Sequence, residues 1–138
     1  MQAHRRTEFS IYLDQRPGEL AGLLAVFHEA GGDIQTLCIT EHNGRGLARF
    51  LAAPAEPIRA RLEPLADQGV GPIVEAEVLA IDLDASPSTL RNLSTRLAEQ
   101  GINVRYGYLC PAQNGTGTLY IFRVDDLSEA EHALETMD

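Results

Sequence analysis

Asp14-Gln15-Arg16-Pro17-Gly18-Glu19-Leu20 is the stretch whose residue types are suited to holding a small molecule. Leu20, Leu23, Leu24 and Phe27 recur at helical spacing behind it, so the stretch sits at the entrance to a helix. Gly18 has no side chain, which lets a ligand come against the backbone. The first N–H groups of the following helix lack intrahelical acceptors and lie at the positive end of its dipole, a setting for a carboxylate. Gln15 and Arg16 flank that spot. The same glycine also serves a tight strand-to-helix turn that binds nothing. Chemistry of other kinds is poorly represented. His28 and Glu29 lie near the end of that helix with no nucleophile or third orienting residue in view, and no Ser/His/Asp, Cys/His or paired-carboxylate set stands at interpretable positions. No catalytic residue is assigned, and no enzyme is expected. His4, His42 and His132 share no ligand spacing, so no metal site and no cofactor are expected. Cys38 and Cys110 are far apart, outside any CxxC, and read as half-buried thiols in a reducing compartment. Tyr106, Tyr108 and Tyr120 read as a cross-strand packing cluster.

The elements that position the loop come in two copies. Leu13-Asp14-Gln15-Arg16-Pro17-Gly18-Glu19-Leu20 lies over Leu83-Asp84-Ala85-Ser86-Pro87-Ser88-Thr89-Leu90, with Leu, Asp, Pro and Leu coinciding. At the same shift Leu23 meets Leu93, Phe27 meets Leu97, Gly31 meets Gly101, Asp33 meets Asn103 and Ile34 meets Val104. Phe9, Ile11 and Leu13, and again Leu79, Ile81 and Leu83, alternate as half-buried strands do. Pro17 and Pro87 suit a first helical position. Gly31-Gly32 and Gly101 suit helix C-termini, with strands following at 34–40 and 104–110. Asn43-Gly44 and Asn114-Gly115 signal hairpins that return the chain in 47–52 and 118–124. Second helices are predicted over 57–68, with Ile58, Leu62 and Leu65 inward, and over 128–137, with Ser128 as cap and Glu131 at the capping-box position. The run 73–84 holds no turn residue and reads as one long strand that closes the first unit and opens the second. The fold class is therefore α+β: two ferredoxin-like βαββαβ sandwiches in tandem, over 1–76 and 77–138, the second lacking its last strand.

The chain has 138 residues, which is one ordinary domain or two very small ones. Eleven Arg and no Lys stand against 20 Asp+Glu, a net charge of −9, so nucleic acid is repelled rather than steered in. No long apolar run or signal-peptide pattern is present, so no membrane partner is expected and the expected location is the cytoplasm.

The strand-x-x-Arg16-Pro17-Gly18-x-Leu20-helix pattern followed by Gly31-Gly32-Asp33-Ile34 resembles the ACT domain, the small amino-acid-binding regulatory domain of phosphoglycerate dehydrogenase, aspartokinase and the acetolactate synthase small subunit. The resemblance covers essentially the whole chain as a tandem pair, and implies a freestanding regulatory protein of ACT-type sandwiches. It implies a ligand held between the loop Asp14, Gln15, Arg16, Pro17, Gly18, Glu19, Leu20 and a neighbouring domain. The residue matching Asp33, next to Ile34, helps to hold the ligand's amino group, so carboxylate at Gly18 and ammonium at Asp33 together read a zwitterion. Phosphoglycerate dehydrogenase has Asn at the positions of Gln15 and Asp33 and His at that of Leu13, so its serine specificity is not implied here. By the residues alone, Asp33 and Asn103 also fit plain turn chemistry.

In the second copy Ser86-Pro87-Ser88 replaces Arg-Pro-Gly while Asn103 keeps the family's residue. Either the copies have specialised, Asn103 and Tyr106 of the second supplying walls to the loop of the first or of another subunit, or the second copy is structural. Two functions follow from the resemblance. One is a regulatory module that binds a free amino acid, as a homodimer, with an enzyme as its partner. The other is an assembly subunit of an amino-acid biosynthetic enzyme that binds no metabolite itself.

Overall fold

In the computed structural model, residues 3–84, 86–112 and 117–137 are described. Apolar alternation builds strands and leucine spacing builds helices in the order β1 (Ala3–Leu13), α1 (Glu19–Glu29), β2 (Asp33–His42), β3 (Arg45–Ala53), α2 (Ala55–Asp67), β4 (Ile73–Leu83), α3 (Pro87–Glu99), β5 (Val104–Pro111), β6 (Thr118–Val124) and α4 (Leu127–Glu135). The six strands are antiparallel. Thr7–Ala76 forms one compact unit, and the chain from Glu77 onward forms the other together with the residues up to Arg6.

In the N-terminal unit the strand order is β2-β3-β1-β4. Leu13 pairs with Gly46, Ile11 with Ala48 and Phe9 with Phe50, and β3 in turn pairs with β2, Ala48 with Ile39 and Phe50 with Leu37. One face of these strands carries the core: Phe9, Ile11, Leu13, Ala48, Phe50 and Ala52 meet Leu23 and Phe27 of α1 and Ile58 and Leu62 of α2. Phe27 sits edge-on to Phe9 at 6.1 Å and against Phe50 at 4.6 Å. The strand between the two copies is continuous, as its lack of turn residues predicts.

The C-terminal unit repeats the plan, with order β1-β4-β6-β5 and a core of Leu79, Ile81, Leu93, Leu97, Tyr120, Phe122 and Leu134 among others. No strand follows α4 among the described residues. Residues 3–6, expected with the first domain, instead cluster with this unit, where β1 takes the place that β4 takes in the other. The reason is visible at Arg5, whose guanidinium donates to Glu131 (2.7 Å) and to Ser128 (3.0 Å), while Ala3 packs against the core. Those bonds also show why the expected Ser128–Glu131 capping box is absent. Asp126 caps α4, its Oδ1 accepting from the N–H of Glu129 at 3.0 Å.

Repeat symmetry extends to backbone detail. Gly31 and Gly101 adopt φ of 72° and 71° at the ends of α1 and α3, and both copies shift register at matched places, between Ile34 and Thr36 and between Val104 and Tyr106. Asn43 and Gly44 both take positive φ in the first hairpin. The second predicted turn, Asn114-Gly115, lies outside the described residues.

Candidate functional site

The β1–α1 loop ends on a left-handed glycine. Gly18 is the N-cap of α1 at φ 92°, and no side chain caps the helix. Pro17 therefore precedes the cap and is not in the first helical turn; the left-handed glycine delays the helix by two residues. Arg16 folds back between two carboxylates, 3.1 Å from Asp14 Oδ2 and 3.0 Å from Glu19 Oε1. Between this loop, the end of β1 and the hairpin lies a hollow of about 300 Å³. Asp14, Gln15, Arg16, Pro17, Glu19 and Leu20 line one side of it, Leu13, Ile39 and Gly46 the other. Gly18 opens instead on a second apolar groove of about 320 Å³ between α1 and the end of α2, with Gly22, Leu23, Val26, Leu65 and Val70.

Ile39 and Gly46 line the hollow although neither belongs to the loop pattern. A Cβ built on Gly46 lies 3.2 Å from Gln15 Nε2, so the absent side chain is what lets the Gln15 amide lie against the strand. Glycine two residues after Asn43-Gly44 is the only signal in the sequence, and it reads first as part of the turn.

At the matched register positions the second copy carries larger side chains. Register makes Ala48, opposite Ile11, the counterpart of Tyr120, opposite Ile81, and Gly46, opposite Leu13, the counterpart of Thr118, opposite Leu83. Tyr120 is fully buried and its hydroxyl donates to the carbonyl of Asp84. Burial pushes that phenol's pKa up, with the Asp84 charge adding to it. Pro87 stands in the first turn of α3 as predicted, and Ser86 caps the helix, its Oγ accepting from the N–H of Thr89 at 3.2 Å. The Thr89 hydroxyl donates to Asp84 and the N–H of Ser86 to the same carboxylate at 3.3 Å. These bonds hold the Asp84 carboxyl below the usual carboxylate range.

The other expected site residues are dispersed. Asp33 pairs with Ala53 at the far end of β3 from Gly46, seven residues along the strand or roughly 23 Å, so within this unit neither Asp33 nor the adjoining Ile34 reaches the loop. Asn103 and Tyr106 belong to the C-terminal unit. The three tyrosines do not share one face of the strands. Tyr120 faces the core with Leu109 as its cross-strand neighbour, whereas Tyr106 and Tyr108 lie opposite Arg123 and Ile121 on the other face of the strands. Arg105 is engaged with Asp125 at 2.5 Å and holds that carboxyl low. No disulfide joins the half-buried Cys38 and Cys110. Among the described residues no group of three or more His, Cys, Asp and Glu could hold a metal ion, and no helix is long and apolar enough to cross a membrane.

Solved structures share this arrangement over nearly the whole chain. A Bacteroides thetaiotaomicron protein superposes with a TM-score of 0.81 at 20% identity, covering 96% of this chain and 88% of its own. The regulatory subunit of aspartate kinase from Thermus thermophilus, in ligand-free form, superposes at 0.71 with 14% identity, covering 98% and 96%. Its Thermus flavus counterpart gives 0.70 at 13% identity, covering 98% and 95%. At these identities the likeness is one of fold. No curated protein matches the sequence. The family described as an ACT domain pair matches residues 5–137. With the repeat, the glycine-containing first loop and the doubled βαββα order in agreement, the chain belongs to the ACT domain pair family.

Proposed function

We propose that this protein is a non-catalytic regulatory module that binds a free amino acid in the hollow beside the Asp14–Leu20 loop, and that the second copy is structural. The observation that carries this reading is the contrast at matched positions: Gly46 lines the hollow beside a helix start with no side-chain cap, whereas its counterpart is Thr118, with Tyr120 buried next along the strand face, beside a start capped by Ser86. An uncapped first turn offers N–H groups to the ligand's carboxylate, and Asp14 and Glu19 offer charge to its ammonium.

A homodimer supplies the rest. β2 is the edge strand of its unit, with Leu37 and Ile39 exposed, and unpaired edges seek strands. Antiparallel pairing with β2 of a second copy, centred near Cys38, sets that copy's Asp33 across from residues 41–43, at the loop end of the strand. Asp33 and Ile34 thereby enter the site from the second chain. Named structural neighbours are regulatory subunits of aspartate kinase, which favours an amino-acid biosynthetic enzyme in the cytoplasm as the partner. Ligand transmits to that partner through its different affinity for two states of the assembly.

Isothermal calorimetry with each common amino acid at millimolar concentration tests the reading. One class of amino acid binds the wild type and fails to bind Gly46→Leu, whose added side chain enters the hollow against the Gln15 amide and whose size by sedimentation is unchanged. Absence of heat with every amino acid sinks the reading and leaves the assembly subunit that binds no metabolite.

A further inference from the structure

We infer that the hollow is selective for a neutral amino acid with an aliphatic side chain, Ile39 being the residue that sets the preference; the inference rests on the amino-acid reading above and names its ligand class. Three charged side chains line the hollow, Asp14, Arg16 and Glu19, with a net charge of −1. Arg16 is their only cation, and it is already shared between the two carboxylates at 3.1 and 3.0 Å. An aspartate or glutamate ligand brings a second carboxylate and finds no second cation. The apolar lining is Leu13 and Ile39 opposite the charged loop and Leu20 at the loop's end; Ile39 is 51% exposed although it shares the helix-facing side of the strands with Ala48. With the ligand's ammonium at Asp14 and Glu19 and its carboxylate at the helix start, the side chain lies along these three residues. A lysine side chain there lays its methylenes on the wall but finds no carboxylate left for its ammonium, Asp14 and Glu19 being shared by Arg16 and the ligand's own ammonium. The volume, about 300 Å³, is at the small end of ligand pockets.

Thermal melting of the full chain, with leucine, isoleucine, valine, aspartate, glutamate and lysine each at 10 mM as probes (about the millimolar range in which a weak site saturates), reads the preference. Leucine, isoleucine or valine raises the wild-type midpoint by several degrees, and the charged amino acids leave it in place. Ile39→Arg puts a cation on the wall at a half-exposed position, so its unliganded midpoint stays near wild type, and an unchanged size by sedimentation shows that the β2 pairing is kept. In that variant leucine binds at least tenfold more weakly, and glutamate now raises the midpoint. Ile39→Ala, which only shortens the wall, weakens leucine about fivefold. A wild-type shift with aspartate, glutamate or lysine equal to or larger than that with leucine overturns the aliphatic class and leaves the amino-acid reading standing. Undiminished leucine binding in Ile39→Arg overturns the role of Ile39. No shift with any of the six overturns the aliphatic class, and calorimetric silence across all common amino acids then removes the amino-acid reading as well.

Discussion

At Gly18 the backbone turns through a φ of 92°, and no atom lies within 4 Å of where a Cβ would sit. The glycine is therefore required by conformation and not by crowding. Gly18→Ala costs about 1–2 kcal/mol through the left-handed backbone alone, read as a lowered urea midpoint with an unchanged m-value. Asp84 is the opposite kind of residue, tied by Thr89 and Ser86 and held below its ordinary pKa. A carboxyl depressed in the folded state stabilises above its unfolded value, roughly pH 4, and that contribution is lost as pH falls through the folded value. Asp84→Asn accordingly lowers stability at pH 7 and flattens the loss below about pH 4, which urea midpoints at a series of pH values measure. An acid-side slope identical to wild type would show that the Asp84 bonds do not form in solution.

Two glycines test how far each element is optimised. Gly22 sits in the middle of α1 with open space at its Cβ position, so Gly22→Ala raises stability by about 1 kcal/mol on helix propensity. Gly107 of β5 is the reverse case: a Cβ there meets Phe122 Cδ1 at 2.6 Å and the carbonyl oxygen of Ile121 at 2.9 Å. Gly107→Ala forces β5 away from β6 and costs about 1–3 kcal/mol, visible as faster amide exchange along β5. Element order, strand and helix periods and the glycine helix ends were legible in sequence because each is a local preference repeated every two or 3.6 residues. Caps were less legible. Ser128 has the right residue type, but Asp126 lies closer to the helix start and Arg5, over a hundred residues away, claims the serine.

For the molecule as a whole, the N-terminal strand is a test of which unit it serves. Ala3 packs on the core of the C-terminal unit and Arg5 bonds Ser128 and Glu131 there. Deleting residues 1–6 therefore lowers hydrogen-exchange protection in α4 and in the 77–83 half of β4, while the core around Phe27 and Phe50 keeps its protection. Loss confined to the N-terminal unit would assign the strand to the wrong partner.

Local pattern alone determined the duplication, the βαββα order, the continuous 73–83 strand and the loop at Asp14–Leu20, since all of these follow from residue type and spacing. Tertiary structure decided the rest. That the first loop borders a hollow and the second a buried tyrosine depends on strand register, which sets Gly46 and Ala48 against Thr118 and Tyr120. Glu8 and Ser10 hold the polar positions of an alternating strand, yet they are 0% and 9% exposed, because alternation says which residues share a face and not what covers it. Asp33 follows the first helix in sequence as the pattern requires, but the length of β2 carries it roughly 23 Å from the loop; separation along a strand is a three-dimensional quantity that a motif does not record.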